Sequence, residues 1–146
     1  MDAAVAHSPK WEWEDEVNWL NCSYRSDESE GDKKLFVYLW SISCGYCKEI
    51  IPDILQMHQD NASLFQLVSI HVPISDSDLD REKVHEVVGK LGINGPVLLD
   101  NEHRWISLYE SEVLPSFYLY DAQGKLVSSK VGIGNIKSYL SSLIHE

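Results

Sequence analysis

Apolar residues along the chain form two kinds of pattern, namely short continuous runs and longer stretches at helical spacing. The continuous run over 35–40 predicts a buried strand, and a run over 67–73 predicts a second one. Between them, isoleucines recur at helical spacing and predict a helix over about 45–59. A further helix is predicted to begin at Asp78 or Asp80 and to end at Gly92. Strands that alternate with helices indicate an α/β fold.

The last third of the chain is predicted to complete the sheet and to cover it with a final helix. A short strand is predicted over 97–99 and a short helix around 106–109. Two apolar runs, 117–120 and 126–131, are separated by a turn sequence and predict a hairpin. The apolar spacing over 136–144 predicts the closing helix. The whole pattern favours a central mixed sheet with helices on both faces.

The first 34 residues have a different character from the rest. Residues 1–10 are predicted to be a loose tail. Tryptophans and other apolar residues among acids over 11–20 predict a short amphipathic helix that packs its aromatic side chains on the core. The stretch 24–34 is almost entirely polar and predicts an acidic loop. The expected organisation is therefore an N-terminal segment, 1–34, and a globular domain, 35–146.

Length and charge narrow the possible partners. A chain of 146 residues fits one domain with a substantial core, and nothing in the pattern requires a partner subunit, so a monomer is expected. With 23 acidic and 12 basic residues the net charge is −11, which disfavours nucleic acid and anionic membranes as partners. The sequence contains no transmembrane stretch or secretory signal, which predicts a cytoplasmic protein. A chain from which a leader or anchor had been removed would have the same appearance.

Cys44 and Cys47 are the residues with the clearest chemical potential. They bracket Gly45 and Tyr46 at the point where the predicted strand over 35–40 passes into a helix. A thiol at a helix N-terminus can have its pKa lowered from about 8.5 to roughly 3.5–7.5 by the helix dipole and the free backbone N–H groups. Cytosolic proteins rarely carry structural disulfides, and a domain of this size needs none. The pair therefore predicts redox chemistry.

The surrounding sequence resembles the thioredoxin superfamily over most of 35–146. The segment from Leu39 to Pro52 is similar to the active site of that superfamily, with its strand, its CxxC dithiol, the following Lys48 and the helix-kinking proline in register. Farther along, Val-Leu-Pro-Ser-Phe at 113–117 resembles the cis-proline loop of the superfamily. The helix and strand predicted before that loop resemble the insertion of the TlpA-like and peroxiredoxin-related (AhpC/TSA) branch.

This resemblance implies a thioredoxin fold and a thiol–disulfide oxidoreductase with a role in cell redox homeostasis. By analogy with the family, Cys44 attacks a disulfide of a protein substrate, and Cys47 resolves the mixed disulfide. No cofactor is expected, and the electrons would come from an upstream reductase. Reduction is the favoured direction, since the cytosolic glutathione pool keeps such dithiols reduced. The residues implied to bind substrate are Trp40, Gly45, Tyr46, Leu114 and Pro115.

The chain departs from thioredoxin at positions next to the dithiol. Ser43 stands where thioredoxin has a tryptophan, and Tyr38 stands where it has a buried acid that accepts a proton. The residues between the cysteines include no proline. One more backbone N–H is therefore free to contact a thiolate, which predicts a potential less reducing than that of thioredoxin.

Other interpretations of the cysteines and histidines are possible. CxxC can be half of a zinc site, but the sequence has no second CxxC or close histidine pair, so no metal site is expected. Ser41-x-x-Cys44 is similar to a peroxidatic motif, but Val37 occupies the position where peroxiredoxins have proline. Cys22 is expected to be a bystander thiol. The scattered histidines are expected to be ordinary core or surface residues; they are His58, His71, His85 and His103.

Two other functions use the same dithiol. One is a redox-responsive binding protein that switches between thiol and disulfide states without turnover. The other is an extracytoplasmic disulfide oxidase or isomerase. A reduction potential near −120 to −180 mV would favour the second alternative.

Overall fold

The computed structural model describes residues 6–8, 13, 16–22 and 33–144. Its elements in chain order are β1 (Trp19–Leu20), β2 (Lys34–Trp40), α1 (Gly45–Asp60), β3 (Phe65–His71), a 3₁₀ turn (Asp76–Leu79), α2 (Arg81–Leu91), β4 (Val97–Leu99), α3 (Arg104–Leu108), β5 (Ser116–Tyr120), β6 (Leu126–Val131) and α4 (Ile136–Leu143). Among these described residues, no helix has both the length and the apolar character needed to cross a bilayer.

The six strands form one mixed sheet in the order β1-β4-β3-β2-β5-β6. Strands β2, β3 and β4 are mutually parallel, whereas β1, β5 and β6 are antiparallel to their neighbours. The parallel pairs are joined through α1 and α2, as parallel pairing requires. The arrangement is a thioredoxin fold with an additional helix and strand, α2 and β4, before β5. The predicted fold class is confirmed.

Strand β2 lies in the middle of the sheet and is buried on both faces. Phe36, Tyr38 and Trp40 pack into a core that includes α1, α2 and α4. Alternate residues of β2 face a second core, which contains Trp13 and Trp105. Burial on both faces explains why the sequence over this strand is continuously apolar rather than alternating.

The ends of the elements follow local chemistry. Helix α2 begins after Asp80, whose carboxylate accepts hydrogen bonds from two backbone N–H groups of the first turn, and it ends at Gly92 with φ +80°. Asp78, the alternative predicted start, belongs instead to the 3₁₀ turn. Strand β3 begins at Phe65, two residues before the predicted start, because Phe65 pairs with the first residue of β2, Lys34.

Two residues of the N-terminal segment differ from their prediction. Trp19 and Leu20, which the sequence assigns to an amphipathic helix, form strand β1 and pair antiparallel with Leu98 and Val97 of β4. Their side chains point to opposite faces of the sheet, Leu20 into the first core and Trp19 into the second, as the geometry of a strand requires. The predicted packing of aromatic residues is present, because Trp13 is fully buried with its ring 6.0 Å from that of Trp105.

Contacts of the N-terminal segment reach both edges of the sheet. Beside β1, the Asn21 side chain donates hydrogen bonds to two carbonyls of the loop before β4, those of Ile93 and Gly95. At the other edge, His7 forms a β-bridge with Lys125. Most of the predicted helix over 11–20 and the acidic run over 27–32 lie outside the described residues.

Candidate active site

Cys44 is the N-cap of α1, and its sulfur faces the first turn of the helix. The Cys44 Sγ accepts a hydrogen bond from the backbone N–H of Cys47 at 3.1 Å. The N-cap and the third residue of a helix face each other, which brings the two side chains together with a Cα–Cα distance of 5.3 Å. The two cysteines form a disulfide in this structure. The CxxC spacing at a helix N-terminus thus creates a redox-capable pair.

The two sulfurs differ in accessibility. Cys47 is fully buried in the core beneath α1, whereas Cys44 is partly exposed. A sulfur atom of another molecule can therefore reach Cys44 but not Cys47. The geometry distinguishes an accessible cysteine from a protected one.

Cys44 opens into a groove of about 610 Å³. Its lining includes Cys44, Gly45, Tyr46 and Leu114. The Leu114 carbonyl oxygen lies 3.8 Å from Cys44 Sγ, and the Leu114–Pro115 peptide is cis. The remaining lining residues are Val72, Pro73, Ile74, His103, Ile106, Ser107 and Glu112.

The structure brings together only part of the predicted substrate-binding set. Gly45, Tyr46 and Leu114 line the groove. Trp40 does not, because its side chain is fully buried with its ring in edge contact with His71 at 5.1 Å. Pro115 is also buried. Trp40 is the last residue of the central strand β2, and its side chain points into the core. It therefore packs behind the site and does not line the groove.

The groove is surrounded by exposed apolar side chains. Tyr46, Ile74 and Val113 are 63, 61 and 49% exposed, and we call them the apolar rim. Two of the three also line the groove. Such a collection of exposed apolar groups beside a reactive centre is typical of a surface that contacts another macromolecule.

Three hydrogen bonds support the walls of the groove. His103 Nε2 donates to the carbonyl of Pro73 at 2.7 Å and joins two lining segments. Asp100 accepts from the backbone N–H groups of Trp105 and Ile106 at 3.0 and 2.9 Å, which fixes the start of α3. Burial raises the pKa of Asp100 above its ordinary value, although these hydrogen bonds oppose the shift.

The turn before Cys44 is held by two buried side chains that the sequence did not single out as functional. The backbone N–H of Ile42 donates to His71 Nε2 at 3.2 Å. Asp78 accepts hydrogen bonds from the hydroxyls of Ser41 at 3.2 Å and Ser43 at 2.6 Å. Each residue of the Ser-Ile-Ser sequence at 41–43 is therefore attached to one of two titratable groups.

These two groups have opposite protonation preferences. Burial lowers the pKa of His71 to about 4, and the nearby Asp78 carboxylate offsets this only in part. For Asp78, burial favours the neutral acid, but hydrogen bonds from Ser43, Ile74, Ser75 and Ser41 outweigh burial and lower its pKa to about 2. At neutral pH the site therefore contains a neutral imidazole and a buried carboxylate.

Tyr38 and Cys22 do not line the groove. Tyr38, at the position of the thioredoxin acid, is buried, and burial raises the pKa of its hydroxyl further, so it stays neutral. Cys22 is an exposed free thiol that does not line the groove. Within the described part of the chain, no group of three or more histidine, cysteine or acidic residues is arranged to hold a metal.

Comparisons with known proteins agree with this geometry. The AhpC/TSA family model matches residues 7–129. The thiol-disulfide oxidoreductase YkuV of Bacillus subtilis is 30% identical over 122 residues, which cover 84% of this chain and 82% of YkuV. The solution structure of a thioredoxin-like protein in the oxidized form, 27% identical, superposes with a TM-score of 0.78 and covers 89% of this chain and 90% of that one. A thiol-disulfide isomerase from Corynebacterium glutamicum, at 22% identity, shares the fold with a TM-score of 0.67 over 89% of this chain and 92% of its own.

Proposed function

Because the chain belongs to the AhpC/TSA family, within the thioredoxin superfamily, we propose that its dithiol reduces disulfide bonds in protein substrates. Its relatives place the chain in the class of thiol–disulfide oxidoreductases. We propose the direction of exchange, the roles of the two cysteines and the need for an electron donor. The observation that carries it is the exposed Cys44 at the helix N-terminus with Cys47 buried behind it.

The proposed reaction conserves atoms and electrons through two exchanges. The Cys44 thiolate attacks one sulfur of the substrate disulfide, and the other substrate sulfur leaves as a thiolate. Cys47 then attacks Cys44 Sγ, which releases the second substrate thiolate and forms the Cys44–Cys47 disulfide. The substrate gains two electrons and two protons. An upstream reductase returns the same number to the enzyme.

The hydrogen bond at the helix N-terminus supports Cys44 as the attacking group. The N–H of Cys47 contacts Cys44 Sγ, so a negative charge on that sulfur gains a charge-assisted hydrogen bond. Once Cys44 is bound to substrate, Cys47 is held one helical turn away and shielded from competing thiols. Among the described cysteines, Cys44 is the one that Cys47 can attack.

The charges around the groove support reduction as the direction. Among the described residues that line the groove, none is lysine or arginine, and Glu112 contributes a negative charge. A basic side chain would stabilise the thiolate and make the reduced pair more stable, as in strong oxidants. With no basic side chain among the described residues of the groove, and with Lys48 exposed to solvent, the reduced pair gives up its electrons more readily. We propose that the protein acts in a reducing compartment, the cytoplasm, as a monomer.

The apolar rim supports a protein as the substrate. We expect Ile74→Ser combined with Val113→Ser to lower kcat/KM for a protein disulfide, such as insulin, by about tenfold or more. Each side chain would lose about 1 kcal/mol of apolar contact with the substrate. Reduction of a small disulfide, bis(2-hydroxyethyl) disulfide, should change by less than about twofold, since it buries little surface.

A matched control is available for this prediction. Leu64 is 44% exposed and precedes β3, at the end of the sheet opposite the dithiol, so Leu64→Ser should leave both rates unchanged. An equal loss for both substrates in the rim variant would show that the rim acts on the dithiol itself. It would then not be a docking surface.

The direction of exchange is tested by the reduction potential. The protein is equilibrated with glutathione buffers of known ratio, and the fraction of Cys44–Cys47 disulfide is measured by alkylation and mass spectrometry. We expect a value below about −180 mV, less reducing than the roughly −270 mV of thioredoxin, with turnover in an insulin reduction assay. A value above roughly −180 mV would instead show an oxidase or isomerase, and a low potential without turnover would show a redox-responsive binding protein.

A further inference from the structure

Asp78 is a buried acid beside the dithiol, and it belongs to neither of the segments that carry the cysteines and the cis-proline. It lies on the 3₁₀ turn between β3 and α2 and is completely inaccessible to solvent. Ser43, whose hydroxyl lies 2.7 and 2.6 Å from the two carboxylate oxygens, immediately precedes Cys44. One side-chain contact therefore links the acid to the residue next to the exposed cysteine.

The Asp78 carboxylate also holds one wall of the groove. It accepts hydrogen bonds from the backbone N–H groups of Ile74 and Ser75 at 3.0 and 3.3 Å. Together with the hydroxyls of Ser41 and Ser43, these make four donors on one carboxylate. The acid therefore fastens the turn that carries Cys44 to the segment that carries the rim residue Ile74.

All four donors are neutral, so the negative charge of Asp78 is not cancelled. No lysine or arginine within the described residues forms an ion pair with it, and the ion pairs that are present there lie elsewhere, at Lys90–Glu86 and Arg104–Glu16. Lys83, from α2, donates to Ser77 instead. The titratable group that interacts with Asp78 from the sheet is His71, which is neutral because burial lowers its pKa to about 4.

This charge is close enough to influence the Cys44 thiol. From the 2.6 Å contact with Ser43 and a spacing of about 3.8 Å between consecutive Cα atoms, the carboxylate lies within about 12 Å of Cys44 Sγ. Two like unit charges at that distance, with an effective dielectric constant of about 20, interact strongly enough to raise a pKa by about one unit. The other titratable residues around the thiol are Tyr46, Lys48, His103 and Glu112.

We propose that Asp78 is a positioning residue of the dithiol, which holds the turn that carries Cys44 and, through its uncompensated charge, makes the Cys44–Cys47 pair a stronger reductant. A nearby anion disfavours the Cys44 thiolate and hence the reduced state, so the reduced pair transfers its electrons more readily. The inference rests on the proposed redox role of the pair. It also explains how a helix N-terminus that favours thiolate can belong to a reductase.

The test is Asp78→Asn, which keeps the shape of the side chain and removes its charge. We expect the pKa of Cys44, measured from the pH dependence of alkylation by iodoacetamide, to fall by about one unit. The equilibrium constant with glutathione should shift toward the dithiol by up to about tenfold. Asp76→Asn is the matched control, because Asp76 is exposed on the same 3₁₀ turn, and it should change neither value.

Ser43→Ala separates the charge from a purely structural role. It removes one donor from the carboxylate but keeps the charge, so the pKa of Cys44 should stay the same or rise. A merely structural role predicts changes of the same sign in both variants. The proposal is overturned if Asp78→Asn leaves the Cys44 pKa unchanged, if Asp76→Asn lowers it equally, or if Ser43→Ala lowers it.

The role of Asp78 can be tested separately from the proposed function. Alkylation and glutathione equilibration need no protein substrate, and Ser43→Ala gives an answer even if Asp78→Asn does not fold. If the wild-type protein reduces insulin but Asp78→Asn has the wild-type Cys44 pKa and glutathione equilibrium, only the inference about Asp78 is overturned. A wild-type Cys44–Cys47 pair that stays reduced in strongly oxidising glutathione buffers would overturn the proposed direction, whatever the variants show.

Discussion

Replacing Cys44 by serine is expected to abolish disulfide reduction, with a loss of about a thousandfold or more. The reason is geometric, since Cys44 is the only one of the pair that a substrate sulfur can approach, and Cys47 is fully buried. Serine preserves the helix cap but has no sulfur to form the mixed disulfide. The measurement is insulin reduction with an external thiol as electron source.

The complementary variant, Cys47→Ser, should behave differently from Cys44→Ser. Attack by Cys44 remains possible, but resolution does not, so the enzyme should accumulate as a mixed disulfide that mass spectrometry detects. Cys22→Ser is the control, because Cys22 is exposed and not part of the groove, and it should retain full activity. Full activity in Cys44→Ser, or the same covalent adduct in Cys44→Ser as in Cys47→Ser, would contradict the assigned roles.

Acid destabilisation between pH 6.5 and 4 is the second large effect that we expect, and its source is His71. Burial lowers the pKa of His71 to about 4 in the folded protein from an ordinary value of 6.5. Between these values the unfolded chain binds a proton that the folded protein does not, so stability is present above pH 6.5 and is lost as pH falls toward 4. The free energy of unfolding should decrease by about 3 kcal/mol across this range.

Denaturant unfolding at several pH values measures this loss, and His71→Gln should remove most of it. The glutamine oxygen can take the place of His71 Nε2 as acceptor for the Ile42 N–H but does not titrate. His85→Gln, at an exposed position on α2, should keep the wild-type pH dependence. Asp100 has a raised pKa and therefore stabilises the folded state toward low pH. Because Asp100 is present in the wild type and in both variants, the difference between these proteins reports His71 alone. An unchanged slope in His71→Gln would refute this origin.

The sequence predicted the dithiol and most of the sheet because these depend on local pattern. The CxxC spacing at a strand-to-helix junction specifies its own geometry, and a strand buried on both faces has a continuous apolar sequence such as 35–40. Strands over 97–99 and 126–131 have the predicted bounds. These features require information from neighbouring residues only.

The parts that sequence did not provide depend on contacts between distant residues. Trp19 and Leu20 form a strand because β4 lies beside them, and their helical spacing gave no sign of that partner. Trp40 has the register of a family active-site residue, but the pleat at the end of β2 directs it into the core. A strand position alone does not reveal which face opens onto the groove.

Asp78 and His71 illustrate the same limit at the site itself. They lie 35 and 29 residues from the turn they hold, and a single aspartate or histidine has many ordinary explanations. The available signal was the pair of serines, Ser41 and Ser43, before Cys44. The Ser41 hydroxyl is buried and needs an acceptor, and the neighbouring Ser43 shares that acceptor, the Asp78 carboxylate.

The contacts of the N-terminal segment with both edges of the sheet have a consequence for solution behaviour. An uncovered edge strand presents unpaired N–H and C=O groups that can recruit a strand from another molecule and start aggregation. Here Trp19 and Leu20 cover the β4 edge, while at the other edge Leu126 donates its N–H to the carbonyl of Ala6 at 2.8 Å. Backbone groups at both edges of the described sheet are thereby paired within the chain, which leaves fewer of them to recruit a strand from another molecule.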